Sequence, residues 1–382
     1  MGRVYAIRTE KSSPPKASRA LAILQAAVFD AVNGIARGYH GYLARTAAPA
    51  GASLPTAAAE AAYTVLVALF PNEKARFDTL LGSSVANVPD GPAKANGTAW
   101  GAGVANAILA ARANDGSAAN PPYTPGTDPG DWQPTPPANA AALLPGWGNV
   151  TPFGIADPAA YVPAAPPALT SQQYADELNE VKRLGGKASP ERTADQTQIA
   201  LFWADGGGTF TPPGHWNAIA GQLAATDGLG LLKTVRLFAQ LDLAEADAAV
   251  VCWKTKFAYN LWRPITAIRN AAADGNDRTT AAATWEPLIA TPPFPSYTSG
   301  HSTFSGAAST ILTAYFGADR PFSTTSDDGA VTRSFASFTQ AADEAGMSRI
   351  YGGIHYQSDN QSGLKCGRDV GAYVLRHSLQ SR

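Results

Sequence analysis

Of five histidines in this chain, only His301 and His355 sit among other residues able to do chemistry, and three separate stretches frame them. The first is Trp253-Lys-Thr-Lys256-Phe-Ala-Tyr-Asn-Leu-Trp-Arg263-Pro264. Lys256 and Arg263 lie seven residues apart, so on a helix they project from one face, roughly 10 Å apart along the axis. Like charges gain nothing from sharing a face unless an anion lies nearby. Taken alone, the pair also reads as two solvated surface cations. The neighbours Trp253, Phe257, Leu261 and Trp262 point instead to a buried face, where unpaired cations are costly.

The second stretch is Pro292-Pro-Phe294-Pro-Ser-Tyr-Thr-Ser299-Gly300-His301, a proline-rich loop running into a helix. A helix opening at His301 directs its first backbone N–H groups and the positive end of its dipole at whatever lies there, which makes an oxyanion seat. Ser299 adds a hydroxyl, Gly300 allows close approach, and His301 can trade protons near neutrality. A plain N-cap is the alternative. The third stretch is Ser348-Arg349-Ile-Tyr-Gly352-Gly353-Ile-His355-Tyr-Gln-Ser-Asp359. Arg349 closes one helix, the glycine pair breaks it, and His355 opens the next, with Asp359 one turn on to orient its ring. A core histidine capping a helix explains this stretch equally well by itself. Together the three supply fixed cations, an anion nest and two imidazoles able to act on opposite sides.

The rest of the chain must position these groups. It is 45% hydrophobic and only 15% charged, which suits a packed helical body with ordered, proline-stiffened loops. Lys and Arg (29) nearly cancel Asp and Glu (30), and no basic run occurs, which argues against nucleic acid or an anionic membrane surface as partner. No stretch of about 18 uninterrupted apolar residues is found, so no membrane helix is expected. Cys252 and Cys366 read as small core residues or as one optional disulfide. The start of the chain lacks the layout of a signal peptide.

Helical periodicity runs from Ser18 to about Arg37, Pro55 to Leu69 and Ala93 to Ala113, then collapses into a Pro/Gly-rich connection over about 114–170. The aromatic residues of this connection (Tyr123, Trp132, Trp147, Phe153) suggest that it lies on a surface. Periodicity resumes at Ser171–Leu184, Thr193–Trp203, His215–Ala225 and Leu231–Trp262, where Pro264 should end the helix. Further helices are expected over Thr279–Ile289, His301–Phe316, Ala330–Tyr351 and His355–Leu379. The fold class is all-α. The expected architecture is two four-helix-bundle-like halves, 1–170 and 171–382, with the active site in the C-terminal bundle.

The three stretches resemble the motifs of the vanadium haloperoxidase and phosphatidic-acid phosphatase type 2 superfamily: Lys-x6-Arg-Pro, Pro-Ser-Gly-His and Ser-Arg-x5-His-x3-Asp. The stretch from Arg192 through Asp205-Gly to Thr211-Pro-Pro is similar to the segment preceding the first motif in soluble haloperoxidases. One departure is plain: Thr298 stands where the motif has proline, which frees φ but removes no donor.

The resemblance implies vanadate as cofactor, with phosphate or sulfate able to occupy the same cage. Its oxygens would be held by Lys256, Arg263, Arg349, Ser299 and the Gly300 amide, and His355 would ligate vanadium. His301 would take a proton from hydrogen peroxide, which oxidises halide to hypohalous acid for an organic acceptor. Asp205 would pair with Arg349. Trp253 and Phe294 match aromatic residues lining the halide side of chlorinating members. In the phosphatase branch the same site would hydrolyse a phosphate ester through a phosphohistidine at His355, with His301 protonating the leaving group. A non-catalytic oxyanion binder is a third reading, disfavoured by two intact histidines. His40, His215 and His377 read as structural or exposed, with no spacing for a zinc or iron site. Members with similar bodies are often exported, so the resemblance implies an exported protein whose signal peptide lies outside this sequence. A homodimer is left open.

Overall fold

The computed structural model describes residues 2–382. Its helices in chain order are α1 (Gly2–Thr9), α2 (Pro14–Ala36), α3 (Leu54–Leu69), α4 (Lys74–Val85), α5 (Pro92–Arg112), α6 (Gln172–Leu184), α7 (Ala194–Phe202), α8 (Thr211–Thr226), α9 (Leu231–Tyr259), α10 (Pro264–Arg269), α11 (Gly300–Phe316), α12 (Phe338–Tyr351) and α13 (Gln357–His377). The fold is predominantly helical, as composition and periodicity predict. It departs from purely α in one hairpin, β1 (Phe322–Thr325) against β2 (Thr332–Phe335).

Helix α9 organises the molecule. Its 29 residues are buried almost continuously from Val235 to Lys256, because it packs on α2 along one side and on α11 and α13 along another. Alanines at 239, 244, 246, 248 and 249 let those neighbours come close. One apolar core consequently runs from Ala6 in the first helix to Leu379 after the last. Asp247 of α9 accepts the amides of Phe153 (2.5 Å), Gly154 (2.7 Å) and Ile155 (2.8 Å). These bonds pin the long connection to the body, and they satisfy a carboxylate that would otherwise be buried at high cost. The connection covers this surface with Trp132, Trp147 and Phe153 turned inward.

Several boundaries differ from expectation for identifiable reasons. Helix α9 does not run to Trp262: Asn260 adopts the left-handed conformation (φ 50°) and stops it. Pro264 begins α10 instead of ending α9, since proline at the first helical position lacks only an N–H that would be unpaired anyway. The segment 279–289 forms no helix; it pairs with 185–187 through Lys187 N to Glu286 O and Leu288 N to Gly185 O. The stretch expected as one helix over 330–351 splits, because Thr332–Phe335 alternates exposure as a strand. Helices α1, α4 and α10 lie in segments where periodicity predicts none.

By length and composition α2 could cross a membrane, but 78% of its apolar window is buried within the fold. That pattern marks a core helix.

Helices α11 and α13 cross at backbone contact. A Cβ on Gly367 would stand 2.0 Å from the Thr303 carbonyl and 2.8 Å from Ala307 N, neither of which can yield without moving a helix. Gly367→Ala is therefore expected to destabilise the fold by about 2 kcal/mol through overpacking. A thermal melt that matches the unsubstituted protein would contradict this packing.

Candidate active site

The loop 292–299 and the two helix starts that follow it set the site. Ser299 is the N-cap of α11, and Thr303 N to Ser299 O (3.0 Å) is the first helical bond. The Gly300 and His301 amides thus precede the bonded ladder and face outward from the helix start. Gly300 is not demanded by φ or by packing: an added Cβ would meet only Trp253 (3.8 Å) and Phe304 (4.0 Å). Glycine here leaves room beside those rings. The peptide bond between Tyr297 and Thr298 is cis.

Arg349 ends α12, and the chain turns through Gly352 and Gly353 (φ 80°) into α13. Gly353 is needed twice over, for its φ and because a Cβ would lie 2.3 Å from the Gly185 carbonyl. The turn brings His355 beneath Arg263. His355 Nδ1 lies 2.7 Å from Asp359 Oδ2, and its Nε2 lies 3.1 Å from Arg263 Nη1. A carboxylate against Nδ1 fixes the proton there and leaves Nε2 as the lone-pair nitrogen. Burial and the charges of Arg263, Lys256 and Arg349 hold the His355 imidazole well below its usual range, so it is neutral. Asp359 also accepts from Ser296 Oγ (2.5 Å) and the Tyr356 amide (3.2 Å). Burial nevertheless pushes its carboxyl up to about 6.

Arg263 is completely buried and donates Nε to Phe294 O (2.7 Å) and Nη1 to Ile354 O (2.9 Å). Its Nη2 has no partner. Arg349 donates Nη1 to Trp203 O (2.9 Å), while its Nε has no partner. Burial pulls these two guanidinium groups down to about 9 and about 10, which still leaves them charged at neutral pH. Two buried cations with an unspent donor each are a strong demand for an anion.

A cavity of about 530 Å3 brings together Gly300, His301, Arg349 and His355, with Trp253 and Phe294 on its apolar wall. Trp253 and Phe294 pack with ring centroids 5.0 Å apart. The Arg263 guanidinium lies 4.8 Å from the centre of the Phe294 ring.

Three assignments need correction. Lys256 does not direct its ammonium at the cavity: all three protons go to loop carbonyls, Pro295 (2.9 Å), Ser296 (2.9 Å) and Thr298 (2.5 Å). It ties down the loop that lacks the motif's proline, and burial lowers its pKa to about 7. Lys256 and Arg263 do not share a helical face either, because Arg263 lies beyond the end of α9 as the N-cap of α10. Asp205 pairs with His215 (3.1 Å) and not with Arg349, although it is close enough to favour the arginine's charge. His215 is buried among Phe202, Trp203 and Phe210 as a structural group, whereas His40 and His377 are exposed. Cys252 and Cys366 are both buried and free.

Several contributors carry no side-chain signature. The carbonyls of Trp203 and Ala204 hold Arg349 and His301, and Leu143 O accepts Trp253 Nε1 (3.2 Å). Ser296, inside the second stretch, could have been found by asking what accompanies Asp359. Among the described residues no group of three His, Cys, Asp or Glu is placed to hold a metal ion.

His301 lies with Nε2 3.3 Å from Ala204 O. Burial and the Arg349 charge hold its imidazole well below its usual range of 6.5. The unfolded chain accepts a proton that the folded site resists, so this stabilising contribution is present above pH 6.5 and lost as pH falls. His301→Gln removes it. The Tm advantage of the unsubstituted protein over that variant should shrink between about pH 7.5 and about pH 5; a constant difference would show that His301 is not held neutral.

Comparison with known proteins converges on one family. The family model described as "VCPO second helical-bundle domain" matches residues 236–381. A vanadium chloroperoxidase of Curvularia inaequalis is 30% identical over 178 residues, covering 40% of this chain and 29% of that protein. The match thus spans under a third of that protein's length. A crystal structure of a bacterial vanadium-dependent iodoperoxidase superposes with a TM-score of 0.88 at 33% identity, covering 99% of this chain and 95% of that one. An apo bacterial vanadium-dependent chloroperoxidase has the same fold at 17% identity, with a TM-score of 0.75 over 94% of this chain and 93% of its own.

Proposed function

Because the chain belongs to the vanadium-dependent haloperoxidase family, we propose that it is a haloperoxidase that uses hydrogen peroxide to oxidise halide to hypohalous acid. The observation that carries this reading is the pair of unpartnered donors, Arg263 Nη2 and Arg349 Nε, buried around a neutral His355. This donor set fits vanadate: two charged forks, the Ser299 hydroxyl, the opening amides of α11, and an imidazole nitrogen that Asp359 keeps unprotonated and that now accepts from Arg263 Nη1. Arg263, Arg349, Ser299 and Gly300 would hold its oxygens, and His355 Nε2 would ligate vanadium. Lys256 serves the same end by holding the loop and adding charge.

When bound, vanadate supplies the Lewis acidity that makes a peroxide oxygen electrophilic. The chain's own residues do the rest. With Nε2–H donated to Ala204 O, His301 Nδ1 is the acceptor that takes a proton from hydrogen peroxide. Arg263 and Arg349 stabilise the negative charge that develops, at fixed positions and with little water to screen it. Trp253 and Phe294 exclude water from the side where halide enters. Among the halides, iodide is the one to test first, because an iodoperoxidase is 33% identical over nearly the whole chain, against 17% for the chloroperoxidase of similar length.

We read the architecture as two helical bundles sharing α9, the second one carrying the site. Export with a cleaved leader fits an oxidant-producing enzyme.

The test is to load metal-free protein with vanadate, add peroxide and iodide, and follow triiodide absorbance. Vanadate-dependent oxidation is expected. Hydrolysis of a phosphate ester by the vanadate-free protein, with no oxidation after loading, would reverse the assignment to a phosphatase.

A further inference from the structure

We propose that a groove beside the active-site mouth binds the organic acceptor, and that it takes a partly apolar, electron-rich molecule carrying a carboxylate. This rests on the haloperoxidase reading and adds the substrate class.

The groove has a volume of about 540 Å3 and shares Lys11, Ser13 and Leu143 with the wall of the site cavity, so the two spaces adjoin. Its size suits a small organic molecule. Leu69, Phe70 and Trp147 form its apolar side. Lys11 and Lys16 bring two cations to it, and neither has an ion-pair partner among the described residues. Arg19 nearby pairs with Asp115 at 2.8 Å, a carboxylate that Arg112 shares. The one acid in the lining, Glu10, is engaged by Asn72 Nδ2 at 2.9 Å.

Two unspent groups add hydrogen-bonding demand. Ser13 is the N-cap of α2, yet its hydroxyl caps nothing. Ser13 Oγ and the indole Nε1 of the buried Trp147 both lack a partner. Buried donors without acceptors are uncommon; both atoms lie beneath the groove lining, so a small side-chain shift would open them to a carboxylate or phenol oxygen. Cations, donors and an apolar wall in one groove describe an aromatic or enolic acid.

The chemistry balances. Hydrogen peroxide takes two electrons from halide and, with one proton, its O–O bond breaks to give hypohalous acid and water. At the acceptor a carbon–halogen bond replaces a carbon–hydrogen bond, the halogen–oxygen bond breaks, and the released proton joins hydroxide as water. An acceptor seated in the groove meets hypohalous acid at the mouth before it reaches bulk solvent.

The experiment competes 4-hydroxyphenylacetate against its neutral amide in one reaction with vanadate-loaded enzyme, peroxide and halide. Reagent hypohalite acting on the same mixture gives the reference ratio. The enzyme should favour the carboxylate by roughly fivefold over that reference, the scale set by two exposed ion pairs. Lys16→Gln should reduce the preference, and Lys11→Gln with Lys16→Gln should return it to the reference. A ratio equal to the reference in the unsubstituted enzyme, or one unmoved by the double substitution, overturns the proposal. Quenching of tryptophan fluorescence by the carboxylate but not the amide tests the groove without turnover. Saturable quenching that weakens in the double variant, in a protein that oxidises no halide, would sink the haloperoxidase reading and leave the groove standing; absence of quenching sinks the groove.

Discussion

His355→Ala is expected to lower vanadate-dependent halide oxidation by about three orders of magnitude or more, because it removes the imidazole nitrogen proposed to bond the cofactor. Oxyanion affinity should fall with it by more than about a hundredfold, since disturbing only the partner of such a ligand costs about ten- to a hundredfold. The side chain is buried and bonded to Asp359 at 2.7 Å, so loss of the fold must be separated from loss of the site. Asp359→Asn does this. It keeps the shape but no longer fixes the Nδ1 proton, and should retain the melt while losing about ten- to a hundredfold in vanadate affinity. Measuring both variants by equilibrium dialysis and by triiodide formation checks the pair. Full activity in His355→Ala would remove His355 as the residue that holds vanadium.

Arg263→Ala is the second large effect. The residue spends three donors on Phe294 O, Ile354 O and His355 Nε2, and keeps Nη2 unspent. Losing that donor and its charge should cost about a hundred- to a thousandfold in turnover. The stability change is expected to be smaller than such a buried residue suggests. Without its bonds two carbonyls lose partners, at about 1–3 kcal/mol each, but removing one of three clustered cations relieves the repulsion with Arg349. Arg263→Lys should not rescue activity, because an ammonium cannot reach two carbonyls and an imidazole from one planar fork. Melts near the unsubstituted value with activity lost identify a residue placed for the anion. The reverse pattern, activity kept and fold lost, would make Arg263 a structural group.

What the sequence made legible was the chemistry carried by side-chain type and order. His301, Arg349 and His355 meet in one cavity because each is fixed by a local device readable in sequence: a Ser N-cap, a helix end, a glycine pair. What stayed hidden were contacts made through the backbone or across long separations. Nothing in Lys256 announces that three loop carbonyls will consume its protons. Asp205 could serve Arg349 or His215, and the fold pairs it with His215. Pro264 was read as a stop although the same residue starts a helix equally well, so α9 was drawn a turn too long. The connection lacks periodicity because its order comes from outside it, from Asp247 gripping three of its amides. Leu143 and Lys11 reach the cavity with no pattern to foretell it.

The central claim is that one tetrahedral oxyanion lies among Arg263, Arg349, the start of α11 and His355. Anomalous X-ray scattering from vanadate-soaked crystals tests it most directly. A single vanadium peak within bonding reach of His355 Nε2, absent in His355→Ala, is the predicted result. A peak elsewhere, or none at the site while vanadate binds in solution, would contradict the account.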